Sequence, residues 1–273
     1  MFSLFLKHKK IILILLTLTV FIMGCSADLS DETFHPNETF RVTNPENENL
    51  AGLLQEKAGG AMVQISTDKV TGSGCIWSMN EEKTVIVTAG HVLEGAEEVQ
   101  LTFIDGTDVN SAEEDVKSAA GGIKSVVENA KSAAGENAWQ WKVAEYCDLG
   151  WIILSTELIS PDTRAACCYV ATDKEIFDAM KAEDIILVMG SLRGTAESAY
   201  EGKLIDPWIY MEDYAQYMML GVDWQGIDQP GMSGSGVFNS QGYLIGVLSG
   251  ADEKGNLAIV PLSLILSEWE LEK

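Results

Sequence analysis

Short β-branched and aromatic runs, separated by Gly, Asn and Asp, recur along the chain from residue 61 onward and constrain its fold more than any other feature. A parallel sheet needs crossover connections, usually helices, between its strands, but these runs do not alternate regularly with helical segments. The pattern therefore predicts an all-β fold, either an antiparallel barrel or a sandwich. The predicted strands are AMVQIS, GSGCIWS, TVIVTAG, VQLTFID, WKVAEY, LGWIILS, DIILVMG, YMMLGVD, SGVFNS, YLIGVLS and LAIVPL.

One segment departs from this pattern. Residues 111–137 are rich in Ala, Lys and Glu and repeat the motif KSAAG at Lys117 and Lys131. The offset, 131 − 117 = 14 residues, is close to a whole number of helical turns at about 3.6 residues each. We therefore predict a helical insertion in a surface loop, with a helix that binds a partner as the alternative.

The N-terminus has the organisation of an export signal. Lys7, Lys9 and Lys10 precede the apolar stretch 11–23, which is shorter than the roughly 20 residues of a membrane-spanning helix. Residues 22–25, Ile-Met-Gly-Cys, resemble the lipobox of bacterial lipoproteins. The resemblance implies that Cys25 is lipidated and anchors an exported protein at the cell membrane or cell surface. The alternative is an ordinary signal peptide with a chance cysteine.

The next segment, 26–50, is polar, acidic and interrupted by Pro36 and Pro45. Such a stretch buries too little apolar surface to offset its conformational entropy, so we predict a flexible tether. The chain is then divided into a signal peptide and lipobox at 1–25, the tether, and one folded unit at 51–273.

Charge and cysteine content limit the function classes. The net charge of −23 repels phosphate backbones, which argues against nucleic acid as a partner. Disulfide pairing among Cys75, Cys147, Cys167 and Cys168 is left open, because connectivity cannot be read from sequence. The folded unit at 51–273 holds one histidine and no CxxC pair, so we expect neither a metal site nor a cofactor.

That histidine is His91, in the motif TAGHVL at the end of an apolar run. A lone histidine is commonly a hydrogen-bonded structural residue, so other signals are needed to make it a general base. Ser233 lies in the Gly-rich stretch QPGMSGSGVF, whose glycines allow a sharp turn that aims the amides of Gly231 and Ser233 into one cavity. The alternative is a plain Gly-rich turn. Asp148 heads the apolar strand CDLGWIILS, where a carboxylate needs a partner such as an imidazole.

Together, the order His, Asp, Ser and the segments GSGCIW, TVIVTAGHVL, CDLGWIIL and GMSGSGVFNSQGYLIGVLSG resemble the trypsin-like serine proteases over roughly residues 60–265. The similarity is to bacterial HtrA-type and glutamyl-endopeptidase-like members, and we expect no PDZ domain. It implies a chymotrypsin-like fold of two antiparallel six-stranded β-barrels. The C-terminal segment LSLILSEWELEK is expected to form a short helix packed on a barrel.

The resemblance also implies residue roles. His91 corresponds to the base, Asp148 to the orienting acid, Ser233 to the nucleophile, and Gly231 with Ser233 to the oxyanion hole. Ser249 corresponds to the serine that supports the aspartate and receives substrate. Two positions depart from the family pattern: Met232 stands where Asp or Asn is usual, and Gly250 replaces a bulky residue of the substrate groove.

Substrate preference is the least constrained inference. Ile227 stands where trypsin-like specificity uses an aspartate, and Leu248 where glutamyl endopeptidases use a histidine. An apolar side chain before the cleaved bond is the remaining expectation, with Ile227, Leu248, Ser249 and Gly250 as substrate-binding residues. We expect an exported serine endopeptidase that acts on proteins or peptides. The alternative is a catalytically silent lipoprotein that binds peptides or a protein partner; the oligomeric state is open.

Overall fold

The structure, a computed structural model, describes residues 49–111, 139–192, 195–196, 199–223 and 230–271. The predicted signal peptide at 1–25 lies outside the described residues. So do the tether at 26–50, apart from its last two residues, and the insertion at 111–137, apart from Ser111.

The described residues form fifteen strands and five α-helices. The strands are β1 Met62–Thr67, β2 Thr71–Met79, β3 Lys83–Thr88, β4 Val99–Thr102, β5 Asp108–Asn110, β6 Trp139–Val143, β7 Gly150–Ser155, β8 Ile185–Met189, β9 Ser191–Leu192, β10 Thr195–Ala196, β11 Tyr200–Met211, β12 Gln216–Asp223, β13 Gly236–Asn239, β14 Leu244–Ala251 and β15 Leu257–Pro261. The helices are α1 Leu50–Ala58, α2 Gly90–Leu93, α3 Pro161–Ala166, α4 Lys174–Asp178 and α5 Leu262–Leu271.

Strands of the first half form a seven-stranded antiparallel sheet in the order β5-β4-β1-β2-β3-β7-β6. Strands β8 and β11 to β15 close into a six-stranded antiparallel barrel in the order β11-β12-β15-β14-β13-β8. The predicted all-β, chymotrypsin-like fold is confirmed. The first unit, this sheet, has seven strands where six were predicted, because the three-residue strand β5 pairs with β4 at one edge.

The central strand β3 of the first sheet is buried on both faces. Along β3, Ile86 packs into a cluster confined to the first sheet and its connections. Its neighbours Val85 and Val87 point the other way, into the large cluster that also holds the barrel residues Val188 and Phe238. Because side chains alternate across a strand, a strand with two buried faces has a continuous apolar run, as TVIVT does. One core thus joins the two units.

Helices α1 and α5 pack apolar side chains against this core. Helix α1 begins after Asn49, whose side chain accepts a 2.9 Å hydrogen bond from the Gly52 amide, and it buries Leu50, Leu54 and Ala58 along one face. Helix α5 packs Leu262 and Ile265 against the barrel, as predicted for the C-terminal segment. Within the described part of the chain, no helix is both long enough and apolar enough to cross a bilayer.

Candidate active site

His91 lies where β3 passes into α2. The Thr88 hydroxyl, fully buried, donates a 2.7 Å hydrogen bond to the Ser73 carbonyl oxygen and fixes the end of β3. Ala89 stays extended before α2 begins at Gly90. A Cβ on Gly90 would lie 2.9 Å from the Leu149 amide nitrogen and 3.1 Å from Asp148 Oδ1. The motif Thr-Ala-Gly therefore lets the histidine approach the segment that carries Asp148.

Asp148 lies two residues before β7, and four hydrogen bonds hold it in place. Its Oδ1 accepts a 2.7 Å hydrogen bond from the His91 amide, and its Oδ2 lies 2.8 Å from His91 Nδ1. The Ser249 hydroxyl, from β14 in the barrel, also donates to Oδ2. The Asp148 amide itself donates a 2.8 Å bond to Gln216 Oε1 on β12. Both the carboxylate and its backbone are thus positioned by groups of the second unit as well as the first.

The contact between His91 and Asp148 shifts the pKa of both groups. The hydrogen bond to Asp148 raises the pKa of His91 above its ordinary 6.5, while partial burial opposes the shift. Burial alone would raise the pKa of Asp148, but the hydrogen bonds from His91 and Ser249 outweigh it and hold that pKa below 3.8. An ionised Asp148 that accepts the Nδ1 proton fixes the tautomer in which Nε2 carries the lone pair.

Ser233 lies in the tight loop before β13, and the first sheet holds this loop. The Ser73 amide donates a 2.7 Å hydrogen bond to the Ser233 carbonyl, and the Ser73 hydroxyl donates a 2.8 Å bond to the Gly231 carbonyl. Gly234, at φ +89°, donates its amide to the Leu248 carbonyl at 2.7 Å. The loop is thus tied to β2 on one side and to β14 on the other.

The amides predicted to form the oxyanion hole come from this loop. Gly231 has φ +97°, a conformation that favours glycine. Among the described residues, neither the Gly231 amide nor the Ser233 amide donates a hydrogen bond, so both donors are available to a ligand. The Ser233 hydroxyl donates to the Ser249 carbonyl at 3.2 Å, and within the described part of the chain no hydrogen bond joins it to His91.

The predicted substrate residues have different surroundings. Leu248 is 1% exposed in the barrel core. Ser249 lies at a register shift between β14 and β15, which turns its hydroxyl toward Asp148. A Cβ on Gly250 would lie 3.0 Å from the Tyr214 hydroxyl oxygen. Ile227 and Cys25 lie outside the described residues.

Met232 also differs from the family pattern in its surroundings. Its side chain is buried in the large core cluster, with the Ser235 hydroxyl 3.8 Å from its sulfur. The loop is held by Ser73 instead of by a carboxylate or amide at position 232. Ser73 and Gln216 are two positioning residues that the sequence analysis missed. Ser73 belongs to the segment GSGCIW, whose pattern indicates no role for it, and no local motif marks Gln216.

Among the described residues, the cysteines form no disulfide bond and the acidic residues form no metal-binding cluster. Cys75, Cys147, Cys167 and Cys168 are free thiols. Burial, reinforced by nearby negative charge, raises the pKa of Cys147 and of Cys167 to about 12, which keeps both thiols protonated. No cluster of three His, Cys, Asp or Glu side chains that could hold a metal occurs in the described portion of the chain.

Comparison with known proteins agrees with the geometry. The family model of the trypsin-like peptidase domain matches residues 72–247, more than half of the chain. No curated protein matches the sequence.

Solved structures with a similar fold include an inactive serine-to-alanine variant of Rv3671c from M. tuberculosis H37Rv, at 12% identity and a TM-score of 0.56, covering 84% of this chain and 95% of that one. The HtrA-type protease AlgW, solved with a tripeptide, gives 17% identity and a TM-score of 0.55, covering 80% of this chain and 61% of its own. A serine endoprotease from Yersinia pestis gives 15% identity and a TM-score of 0.53, and the match covers 81% of this chain and 65% of that one. At such identities, the likeness concerns the fold.

Proposed function

The chain belongs to the trypsin-like peptidase family and is a serine endopeptidase; we propose that Ser233 is its nucleophile, His91 its general base and Asp148 its orienting acid. The observation that carries this assignment is the Asp148 carboxylate, which accepts hydrogen bonds from the His91 amide, His91 Nδ1 and the Ser249 hydroxyl. A carboxylate held in this way keeps the His91 ring oriented with Nε2 as its basic atom.

The first half of the reaction acylates Ser233. The hydroxyl turns from the Ser249 carbonyl to His91, whose Nε2 takes its proton as Ser233 Oγ attacks the carbonyl carbon of the cleaved bond. The Gly231 and Ser233 amides donate to the oxyanion that forms on that carbonyl. The C–N bond then breaks, and the imidazolium of His91 returns the proton to the leaving amine. Asp148 stabilises the positive imidazolium while it exists.

The second half releases the acid product. Water attacks the acyl-enzyme carbonyl and gives a proton to His91 Nε2, and the same two amides receive the second oxyanion. Collapse of this intermediate breaks the ester bond, and His91 returns the proton to Ser233 Oγ. Each proton moves through one imidazole, and the raised pKa of His91 makes the neutral ring a stronger base for taking up the proton in each attack step.

The proposal includes export and a lipid anchor at Cys25, supported by the N-terminal sequence alone. It also includes an apolar side chain before the cleaved bond, supported by Ile227 and Leu248 at positions where charged-substrate specificity uses ionisable residues. Substrates are then proteins or peptides outside the cytoplasm.

A serine-reactive fluorophosphonate probe tests the catalytic assignment. Wild type should be labelled at Ser233, and Ser233→Ala should not, because the nucleophile is absent. Ser240→Ala is the matched control, since this serine lies in the β13–β14 turn outside the site and its loss should leave labelling intact. A folded wild-type protein that resists the probe would contradict the proposal and support a catalytically silent relative.

Detergent phase separation tests the anchor. Wild type produced in a bacterial host should partition into the detergent phase, and Cys25→Ala should either move to the aqueous phase or accumulate as unprocessed precursor. Wild-type protein found entirely in the aqueous phase would overturn the lipoprotein assignment and leave the catalytic one unaffected.

A further inference from the structure

One edge of β14 is open beside the nucleophile. Pairing of β13 with β14 begins at Gly236, opposite Val247, and the loop before it reaches Leu248 through the Gly234 amide. Beyond Leu248, β14 continues to Ala251 with β15 as its strand partner, through Gly250–Ala258 and Ala251–Leu257. The last residues of β14 therefore present their other edge to the cleft without a neighbouring strand among the described residues.

Two carbonyl oxygens of this segment are occupied by side-chain hydroxyls. The Ser249 carbonyl accepts from Ser233 Oγ at 3.2 Å, and the Ala251 carbonyl accepts from the Tyr214 hydroxyl at 3.1 Å. Ser249 and Ala251 are two residues apart, so their carbonyls point to the same side of an extended strand. Both hydroxyls thus sit where the amides of an added strand would donate.

Tyr214 is held at this position by the shape of its hairpin. It ends the 3-10 turn Glu212–Tyr214 between β11 and β12, and the next residue, Ala215, has φ +52°. A non-glycine residue in the left-handed region is kept there only by its surroundings. The absence of a side chain at Gly250 makes room, because a Cβ there would lie 3.0 Å from the Tyr214 hydroxyl oxygen.

We propose that Tyr214 is a specificity-determining residue whose hydroxyl competes with the backbone of the substrate for the Ala251 carbonyl. An extended peptide binds an open strand edge through its backbone N–H and C=O groups. If it adds antiparallel, as every other pairing in this barrel does, the residue facing Ser249 lies at the cleaved bond. The residue facing Ala251 is then the third before that bond, and its N–H must displace the Tyr214 hydroxyl.

This inference rests on the proposed peptidase function, and it has a kinetic consequence. Displacing the hydroxyl weakens binding of the substrate and of the transition state equally, so it raises KM and leaves kcat unchanged. A hydrogen bond of this kind contributes about 0.5–1.5 kcal/mol, which corresponds to a factor of roughly 2–12 in affinity. Peptides that lack an N–H at the third residue before the cleaved bond form no hydrogen bond with the Ala251 carbonyl, so removing the Tyr214 hydroxyl does not improve their affinity.

Tyr214→Phe tests the proposal with two blocked peptides that share a leucine before the cleaved bond, one of them N-methylated at the third residue before it. Tyr214→Phe should lower KM for the unmethylated peptide by about 2–12-fold at constant kcat, and should leave KM for the methylated peptide unchanged. Tyr210→Phe is the matched control, because Tyr210 lies on the same hairpin with half of its surface exposed. Its KM should equal that of wild type.

A parallel binding experiment separates this inference from the proposed function. Calorimetry measures the binding of both peptides to Ser233→Ala and to Ser233→Ala/Tyr214→Phe, neither of which should cleave them. The double variant should bind the unmethylated peptide more tightly than Ser233→Ala does, and both variants should bind the methylated peptide equally. A gain in binding without Ser233-dependent cleavage in the wild type would overturn the catalytic assignment alone. An unchanged or raised KM or Kd for the unmethylated peptide, or an equal change for both peptides, would overturn the role of Tyr214.

Discussion

His91 and Asp148 shift one another's pKa in opposite directions, and in the proposed mechanism this pair sets the pH range of activity. The hydrogen bond to Asp148 raises the pKa of His91 above 6.5. Since Nε2 must be unprotonated to take the Ser233 proton, the fraction of active enzyme grows as pH rises through that raised pKa. Asp148, with its pKa lowered, stays ionised across the whole of this range.

The pH profile of kcat/KM should therefore rise with a midpoint above 6.5 in the wild type. Asp148→Asn removes the main cause of the shift, so the midpoint should fall along with the rate. Glu94→Gln removes a weaker charge effect on the same imidazole and should lower the midpoint by less, with little change in the limiting rate. A wild-type midpoint below 6.5, or one that Asp148→Asn leaves unmoved, would contradict this account of the pair.

The residues that the sequence predicted for the site are those with a local signature. Asp148 and His91 are 57 positions apart, yet each ends or begins an apolar strand run, and the structure brings them into contact. Gln216 and Tyr214 contact the site from a hairpin with no motif. Their roles depend on how the barrel lies against the first sheet, and no short stretch of sequence carries that information.

At the scale of elements, the hairpin that carries Ser233 depends on one close backbone approach. A Cβ on Gly234 would lie 1.9 Å from the Ser73 carbonyl oxygen and 2.2 Å from the Thr88 hydroxyl oxygen. Neither atom can move freely, because the Thr88 hydroxyl donates a hydrogen bond to the Ser73 carbonyl. The Ser73 hydroxyl in turn donates a hydrogen bond to the Gly231 carbonyl in the loop. The approach of the Ser233 loop to β2 and β3 therefore requires glycine at this position.

Gly234→Ala should unfold the protein or destabilise it by well over the cost of backbone strain alone. Gly255→Ala is the matched control, because Gly255 has a similar φ of +78° but nothing within 4 Å of its Cβ position. Its substitution should cost only about 1–2 kcal/mol for the left-handed conformation. Denaturant unfolding measures both, and equal losses of stability in the two variants would show that the contact with Ser73 is unimportant.

The strand most difficult to predict was β11. Its sequence YEGKLIDPWIYM contains Gly202, Asp206 and Pro207, which indicate a turn, and no strand was predicted there. The structure keeps these residues in one long strand by shifting its register against β12 on either side of Asp206. The Asp206 carboxylate accepts a 2.9 Å hydrogen bond from the Trp208 amide across Pro207. Such irregularities are imposed by barrel closure, which local pattern does not report.

At the scale of the whole molecule, the site exists because two β units share a core. His91 and Asp148 lie in connections between strands of the first sheet, whereas Ser233 lies in the loop before β13 and Ser249 in β14 of the barrel. The hydrogen bonds that Asp148 makes with Ser249 and Gln216 cross between the units, as do those from Ser73 to the nucleophile loop. In the proposed mechanism, activity therefore depends on the packing of the two units against each other as much as on any single residue.

The most direct test of the central claim is single-turnover cleavage of an unstructured protein substrate by wild type, Asp148→Asn and Ser233→Ala, with folding of each confirmed by circular dichroism. Asp148→Asn should be slower by about 10⁴-fold, by analogy with the Ser-His-Asp triad of serine proteases, because His91 loses its fixed tautomer and its charge partner. Ser233→Ala should retain only the small rate that groove binding and the oxyanion amides supply. Equal rates for folded wild type and folded Asp148→Asn would show that Asp148 does not orient His91, and the proposed triad would be wrong.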